Sequence, residues 1–315
     1  MTPDGGASEE MLRTALGHAL RSVGIRGRID SINRRENVYE STHRSEVLEC
    51  CVGGVAQPAI LCKYGPVDDR DHLGLRHGLA YEADVYRYAL CDLTAPPRFF
   101  GSYLDAACDV SWLFLEYLDE GWQLDLGPET AIVDAAAMLG ELHRTASNSP
   151  PQAARAKLNR YHEAYFHHCL AQANAQVASW GELVPSFDRI SHQFQSAIPY
   201  LVAAPRTVVH GEFTPHNVVW AHERPRVVDW EQAATGPGEI DLAALTDDWP
   251  PELVELAAEA YVASRWTRTP GHDFAATLNA SRLYWLFRWL GDPEQAGTED
   301  EIAWLAERVN EASAL

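Results

Sequence analysis

Met11, Leu12, Ala15, Leu16, Ala19 and Leu20 recur at three- and four-residue spacing, which predicts a helix over Glu9–Val23 with one apolar side. Residues 1–8 carry no such pattern and are expected to be disordered. After Gly27 the pattern shortens. Ile29–Ile32, Asn37–Ser41, Val47–Val52 and Ala59–Tyr64 are brief β-prone runs punctuated by Gly53-Gly54, as in an antiparallel sheet of local hairpins. A helix is expected over Gly78–Leu90, and two more strands over Phe99–Tyr103 and Ser111–Tyr117. Beyond Gly121 helical spacing takes over: Glu129–Arg144, Gln152–Ala178, Ser186–Ala203, Pro251–Trp266, Phe274–Leu290 and Glu299–Ala312. One strand–loop–strand block, Thr207–Trp230, interrupts it. Strands first and helices later predict an α+β protein in two lobes, residues 1–119 and 120–315, parting near Asp119–Gly121.

The 315 residues suffice for a large core. Forty-five acidic against 25 basic side chains give a net charge of −20. That field repels nucleic acid and anionic membranes. It either serves solubility alone or draws in a cationic substrate. The six cysteines (Cys50, Cys51, Cys62, Cys91, Cys108, Cys169) form no Cys-x-x-Cys pair, so they read as buried, reduced thiols rather than zinc ligands. The polar start lacks a signal-peptide core, and no apolar run nears the roughly 20 residues of a membrane helix. A cytoplasmic protein is expected.

The densest chemistry lies in His210-Gly-Glu-Phe-Thr-Pro-His-Asn217 and Val228-Asp-Trp-Glu231, each beside an apolar strand. A carboxylate that orients a hydroxyl (Glu212), with an amide and a carboxylate that hold magnesium (Asn217, Asp229), is a minimum set for moving a phosphoryl group from a nucleotide. His210 precedes Glu212 in a tight turn and either organises the loop or joins the chemistry. Lys63 ends a strand. Alone it reads as an exposed lysine, but Glu82 on the next helix could hold it toward nucleotide phosphates. Asp84 lies on another side of that helix. Trp112–Asp119 suits a connector whose backbone at Glu116 and Leu118 could meet a nucleotide base. Asp241, on the first turn of the helix opened by Gly236-Pro-Gly238, either braces the catalytic loop through backbone N–H groups or merely complements the helix dipole. His162, His167 and His168 have poor metal spacing, and Tyr284, Trp285, Phe287 and Trp289 read as core. Asp247-Asp248 beside Trp249 could meet a cationic substrate.

From about Ile29 to Leu290 the chain resembles the aminoglycoside phosphotransferase and choline kinase superfamily, most sharply in His210–Asn217, Val228–Glu231 and Gly236–Leu245. The resemblance implies a protein-kinase-like two-lobed fold, with an antiparallel β-sheet N-lobe and a mostly helical C-lobe. It places Glu212 at the catalytic-acid position, Asn217 and Asp229 at the magnesium positions, Lys63 at the phosphate-binding position and Glu82 as its partner. Glu116 to Leu118 matches the nucleotide hinge, and Asn37-Val-Tyr39 the nucleotide-loop segment. The sequence departs from the pattern twice. Asn33-Arg-Arg-Glu36 precedes Asn37 where Gly or Ser is usual, and Glu212 replaces Asp.

These features predict a magnesium-requiring phosphotransferase that uses ATP or GTP and phosphorylates a hydroxyl of a small polar molecule, amine-bearing if the negative field serves to draw in a cation. Two alternatives stay open: a peptide Ser/Thr kinase of a natural-product pathway, and a nucleotide-binding pseudokinase in which Glu212 marks lost turnover. Acceptor, nucleotide base and oligomeric state are not encoded in these motifs.

Overall fold

Alternation along β4 (Ile60–Gly65) sorts the first part of the molecule. Ile60 and Cys62 face the core that α1 (Glu9–Ser22) covers, so Lys63 faces the other side of the sheet. The computed structural model describes residues 8–39, 43–67, 77–148, 157–180, 187–292 and 298–314. The expectations for residues 1–7, 40–41, 152–156 and 186 lie outside the described residues. Ser8, expected to be disordered, caps α1 by accepting the Met11 N–H at 3.2 Å.

The chain forms two compact units. The first takes the described residues up to Leu126, with Lys157 and Asn217–Gln232; the second takes Gly127–Asn148, Leu158–His216 and the chain from Ala233. The division therefore falls after Leu126 rather than after Asp119, and the stretch 217–232 returns to the first unit.

In the first unit, β1 (Ile29–Glu36), β2 (Arg44–Val52), β4, β6 (Val110–Glu116) and β5 (Phe99–Asp105) pair antiparallel in that order, with β3 (Val55–Ala56) on β2. Leu12, Leu16 and Leu20 of α1 are buried against Leu48, Ile60, Phe100 and Phe114, about 1.5–3 kcal/mol for each fully buried side chain. α2 (Leu79–Tyr88) packs on β4, β5 and β6. The run 37–41 was expected to be β-prone, but Asn37–Tyr39 is a turn. The same unit holds β7 (Trp122–Gln123), β10 (Val218–Ala221) and β11 (Arg224–Val227). Trp122 stacks on Trp220 at 5.4 Å.

In the second unit, α3 (Ala131–Asn148) packs closely on α7 (Pro251–Arg265). Gly140 permits this, since a Cβ there would lie 2.5 Å from the Tyr261 carbonyl. A second core joins α4 (Glu163–Ser179), α5 (Phe187–Ala203), α8 (Phe274–Leu290) and α9 (Glu299–Ala314). Between α5 and α7 lies the short helix α6 (Glu239–Leu245). The helix expected over Gln152–Ala178 is shorter than its pattern. Asn159–Arg160 is instead a strand, β8, pairing parallel with β12 (Ala234–Pro237), which also pairs with β9 (Arg206–Val209). Backbone pairing, invisible to side-chain periodicity, decides that boundary. No helix among the described residues is long and apolar enough to cross a membrane.

Gly101 marks a tight contact. The β5–β6 register shifts between Phe99 and Gly101, Gly101 has φ +126°, and a Cβ there would lie 2.7 Å from the Ala19 carbonyl. Gly101→Ala is expected to force α1 off the sheet and cost about 1–3 kcal/mol, read as a lowered midpoint in denaturant melts.

Candidate active site

In the first unit, Lys63 Nζ lies 3.1 and 3.2 Å from the two Glu82 oxygens and 2.6 Å from Asp229 Oδ1. Lys63 is 4% exposed and Glu82 fully buried. Burial works against the ammonium charge, but Asp229 and Glu82 outweigh it, so the lysine pKa stands above its ordinary value. Burial also raises the Glu82 pKa, opposed by Lys63. The Trp230 N–H donates to Glu82 Oε1 at 3.2 Å, fixing the chain beside Asp229. Glu231 pairs with His43 at 3.3 Å. Burial depresses His43, but Glu231 wins and its pKa is raised. Asp84, on another side of α2, pairs with Arg87 and Lys157.

Asn217 ends a single 3₁₀ turn, and its carbonyl accepts the Val228 N–H at 3.0 Å. With Val218 opposite Val227, the register puts Asn217 and Asp229 at the same end of the β10–β11 hairpin. Asp229 has φ +67°, a left-handed backbone that Asp tolerates better than most residues. Among the described residues no group of three or more His, Cys, Asp or Glu could hold a metal by itself. An Asp and an Asn nonetheless fit magnesium, a hard ion that keeps waters and takes phosphate oxygens as its remaining ligands. The charge balance fits too, since Asp229, Glu82 and Glu231 all act on the single Lys63 ammonium.

Other residues assigned to the nucleotide have local duties. Asn37 Nδ2 donates to the Tyr39 carbonyl and to Ser45 Oγ, both at 3.0 Å, while its Oδ1 accepts the Tyr39 N–H. Asn37 therefore shapes the turn after β1. The Tyr39 hydroxyl donates to the Gly121 carbonyl at 2.9 Å and to that of Leu118 at 3.3 Å. The Glu116 N–H goes to the Arg98 carbonyl, and its carboxylate pairs with Arg226 at 2.8 Å. Burial raises the Glu116 pKa, but the Arg98 N–H and Arg226 outweigh it and the net shift is downward. Arg34 pairs with Glu46, and Arg35 with Glu49 and Asp119.

In the second unit, the turn His210-Gly-Glu212 hangs from Asp241. This buried carboxylate accepts the His210 N–H at 2.7 Å and the Gly211 N–H at 2.9 Å. Gly211 has φ +86°. His210 is fully buried, and its Nδ1 accepts the Glu212 N–H at 3.2 Å. Of the two roles open to it, this bond and its burial support organising the loop. His143 Nε2 lies 3.1 Å from Asp241, and its Nδ1 lies 2.9 Å from the Tyr261 hydroxyl. Burial lowers the His143 pKa despite Asp241. The neutral ring then donates to Asp241 and accepts from Tyr261. Arg265 bonds the same hydroxyl and pairs with Glu239 at 3.2 Å. Glu212 pairs with Arg288 at 3.4 Å.

The family model described as "Phosphotransferase enzyme family" matches residues 70–278, about two thirds of the chain. The chain belongs to this family. The description of that family names phosphotransfer as its activity. A stretch of 94 residues is 29% identical to the N-acetylmuramate/N-acetylglucosamine kinase of Neisseria meningitidis; it covers 30% of this chain and only 28% of that kinase. Solved phosphotransferases share the fold at low identity. An aminoglycoside 2′-phosphotransferase in its GDP complex has a TM-score of 0.65 at 13% identity, covering 98% of both chains. Macrolide 2′-phosphotransferase from Brachybacterium faecium has 0.60 at 16%, covering 94% of this chain and 97% of its own. Choline kinase LicA from Streptococcus pneumoniae has 0.57 at 15%, covering 97% and 99%.

The sequence reading passed over Arg288, His143, His43 and Arg226. An arginine inside the aromatic run Tyr284–Trp289 was the available signal for the first, since such a charge needs a buried counter-charge. The thiol reading also needs correcting. All six cysteines are free, but Cys91 and Cys108 are exposed, on loops that apolar patterning does not govern.

His143 gives a pH prediction. Its folded pKa lies below the ordinary 6.5, so its contribution is full above that value and is lost as pH falls toward the folded value. His143→Gln is expected to be less stable than the parent at about pH 8, by about 1–3 kcal/mol for the altered buried bonds. The gap should narrow from pH 6.5 downward. Comparing the two proteins in denaturant melts cancels His43, whose raised pKa acts in the opposite sense.

Proposed function

We propose that this protein transfers the γ-phosphoryl group of ATP or GTP to a hydroxyl of a small polar molecule, with magnesium as the required ion. The observation that carries the reading is Lys63, buried and clamped by Glu82 and Asp229. A charge buried at such cost is retained where phosphates are to be gripped. Asn217 and Asp229 would hold the ion, which when bound neutralises phosphate charge. Lys63 would hold the phosphates, and Glu82 would keep Lys63 in place. Glu212 would accept a hydrogen bond from the acceptor hydroxyl and orient it. Its loop is fixed through Asp241, and positioning matters more than base strength in a loose transition state. For the nucleotide base, the Glu116 carbonyl and the Leu118 N–H are the backbone groups we assign, since the Glu116 N–H and the Leu118 carbonyl already have protein partners.

The amine-bearing acceptor expected from net charge finds less support. In the second unit Asp247 and Asp248 are taken by Arg308, and Glu239 by Arg265 and His272. A neutral hydroxylated molecule such as a sugar suits this better, in line with the name of the Neisseria relative. The intact Lys63 clamp also favours an active kinase over a pseudokinase.

Two variants test the reading against a panel of hydroxylated acceptors, scored by nucleotide- and magnesium-dependent mass gain. Asp229→Asn keeps a residue that tolerates positive φ and is expected to lose at least about a hundredfold in kcat while remaining folded. Glu212→Gln should lose a similar factor with nucleotide affinity within about twofold of the parent. Undiminished turnover in either variant would remove that residue from its role.

A further inference from the structure

Glu212 is one methylene longer than the aspartate expected at its position, and the structure gives that extra reach a partner. Arg288 lies on α8, 8% exposed, with its guanidinium 3.4 Å from Glu212 and 4.9 Å from the centre of the Trp285 ring. Burial works against its charge, but Glu212 together with Tyr284, Tyr161 and Tyr165 outweighs burial, and the guanidinium stays charged. Around it, Tyr165 stacks on Tyr161 at 4.2 Å and shares a 2.8 Å hydroxyl contact with Tyr284. The arginine is thus built into the core beside the carboxylate, unlike a mobile surface cation.

We propose that Arg288 is a positioning and specificity-determining residue: it fixes the Glu212 carboxylate and restricts acceptors to hydroxyl compounds that are neutral or anionic beside the reacting group. The proposal rests on the phosphotransfer reading and deepens it. An acceptor hydroxyl bonded to Glu212 must come within about 3 Å of that carboxylate. Its neighbouring substituents then lie within a few ångströms of a permanent cation. A hydroxyl, an acetamido oxygen or a carboxylate can accept an N–H from the guanidinium. An ammonium there meets a like charge in a partly dry setting, where such repulsion is screened little. The Glu212 carboxylate, which could otherwise have attracted an amine, is already neutralised. This runs against what the net charge of −20 suggests, because the near field of one buried arginine outweighs a diffuse, screened surface charge.

Two experiments test it. The first is a double-mutant cycle on stability with Glu212→Gln, Arg288→Gln and both together, which needs no acceptor. The pair should couple by at least about fivefold in the unfolding constant. Additive effects would overturn the positioning role. The second compares a hexosamine, its N-acetylated counterpart and an N-acetylated sugar acid as acceptors. The parent should favour the latter two by at least about tenfold in kcat/KM over the amine. Arg288→Gln should lower kcat, leave the nucleotide KM unchanged and narrow that preference by at least about fivefold. Arg288→Lys, which keeps the charge should the glutamine variant fail to fold, should retain the preference at reduced kcat. Preferred phosphorylation of the amine would overturn the selection while leaving phosphotransfer intact. Coupling in the cycle with no acceptor phosphorylated would overturn the phosphotransfer reading, and the specificity role with it.

Discussion

One ammonium group organises the first unit. Lys63 ties together β4, α2 and the chain after β11, through Glu82 and Asp229. Taking these charges out of water is costly, and removing one partner of such a pair typically destabilises by about 3–5 kcal/mol. The arrangement persists because each charge meets an opposite one and Glu82 also receives the Trp230 N–H. Asp229 makes its contact from a left-handed backbone. Strand alternation makes this possible: Cys62 faces α1, so Lys63 must face α2.

The second unit solves a similar problem with a carboxylate. Asp241 gathers two backbone N–H groups and an imidazole, and the turn that presents Glu212 depends on it. The network continues through Tyr261 to Arg265 and Glu239. Little room is left around it. At Gly238 a Cβ would lie 2.5 Å from His143 Nδ1 and 2.7 Å from the Tyr261 hydroxyl. Backbone donors, a neutral histidine and a side-chain-free corner together make a rigid mount out of groups that are individually weak.

The Lys63–Glu82 pair was legible in the sequence because a strand and the next helix are local neighbours, and patterning assigned both. The bracing by Asp241 was open to inference because a carboxylate on a first helical turn beside apolar residues needs donors. Arg288 and His143 were not found, since their partners come from distant elements and no spacing rule links them. The strands β8 and β12 escaped for another reason. Asn159–Arg160 and Ala234–Pro237 have no β-prone composition, and only backbone pairing makes them strands. For His210 the motif left two roles open, and its burial and its bond to the Glu212 N–H support the loop role.

The division of the chain between the units has a consequence for synthesis. Asp229 lies 166 residues after Lys63, and the second unit's α3, α4 and α5 are made in between. At ribosomal speeds of about 5–20 residues per second, roughly ten to thirty seconds separate the two. During that interval the nascent sheet carries its lysine and Glu82 without the third member of the cluster. A gene fragment stopping at residue 126 would encode a sheet stranded in that condition, so the two units cannot be traded between genes as simple cassettes.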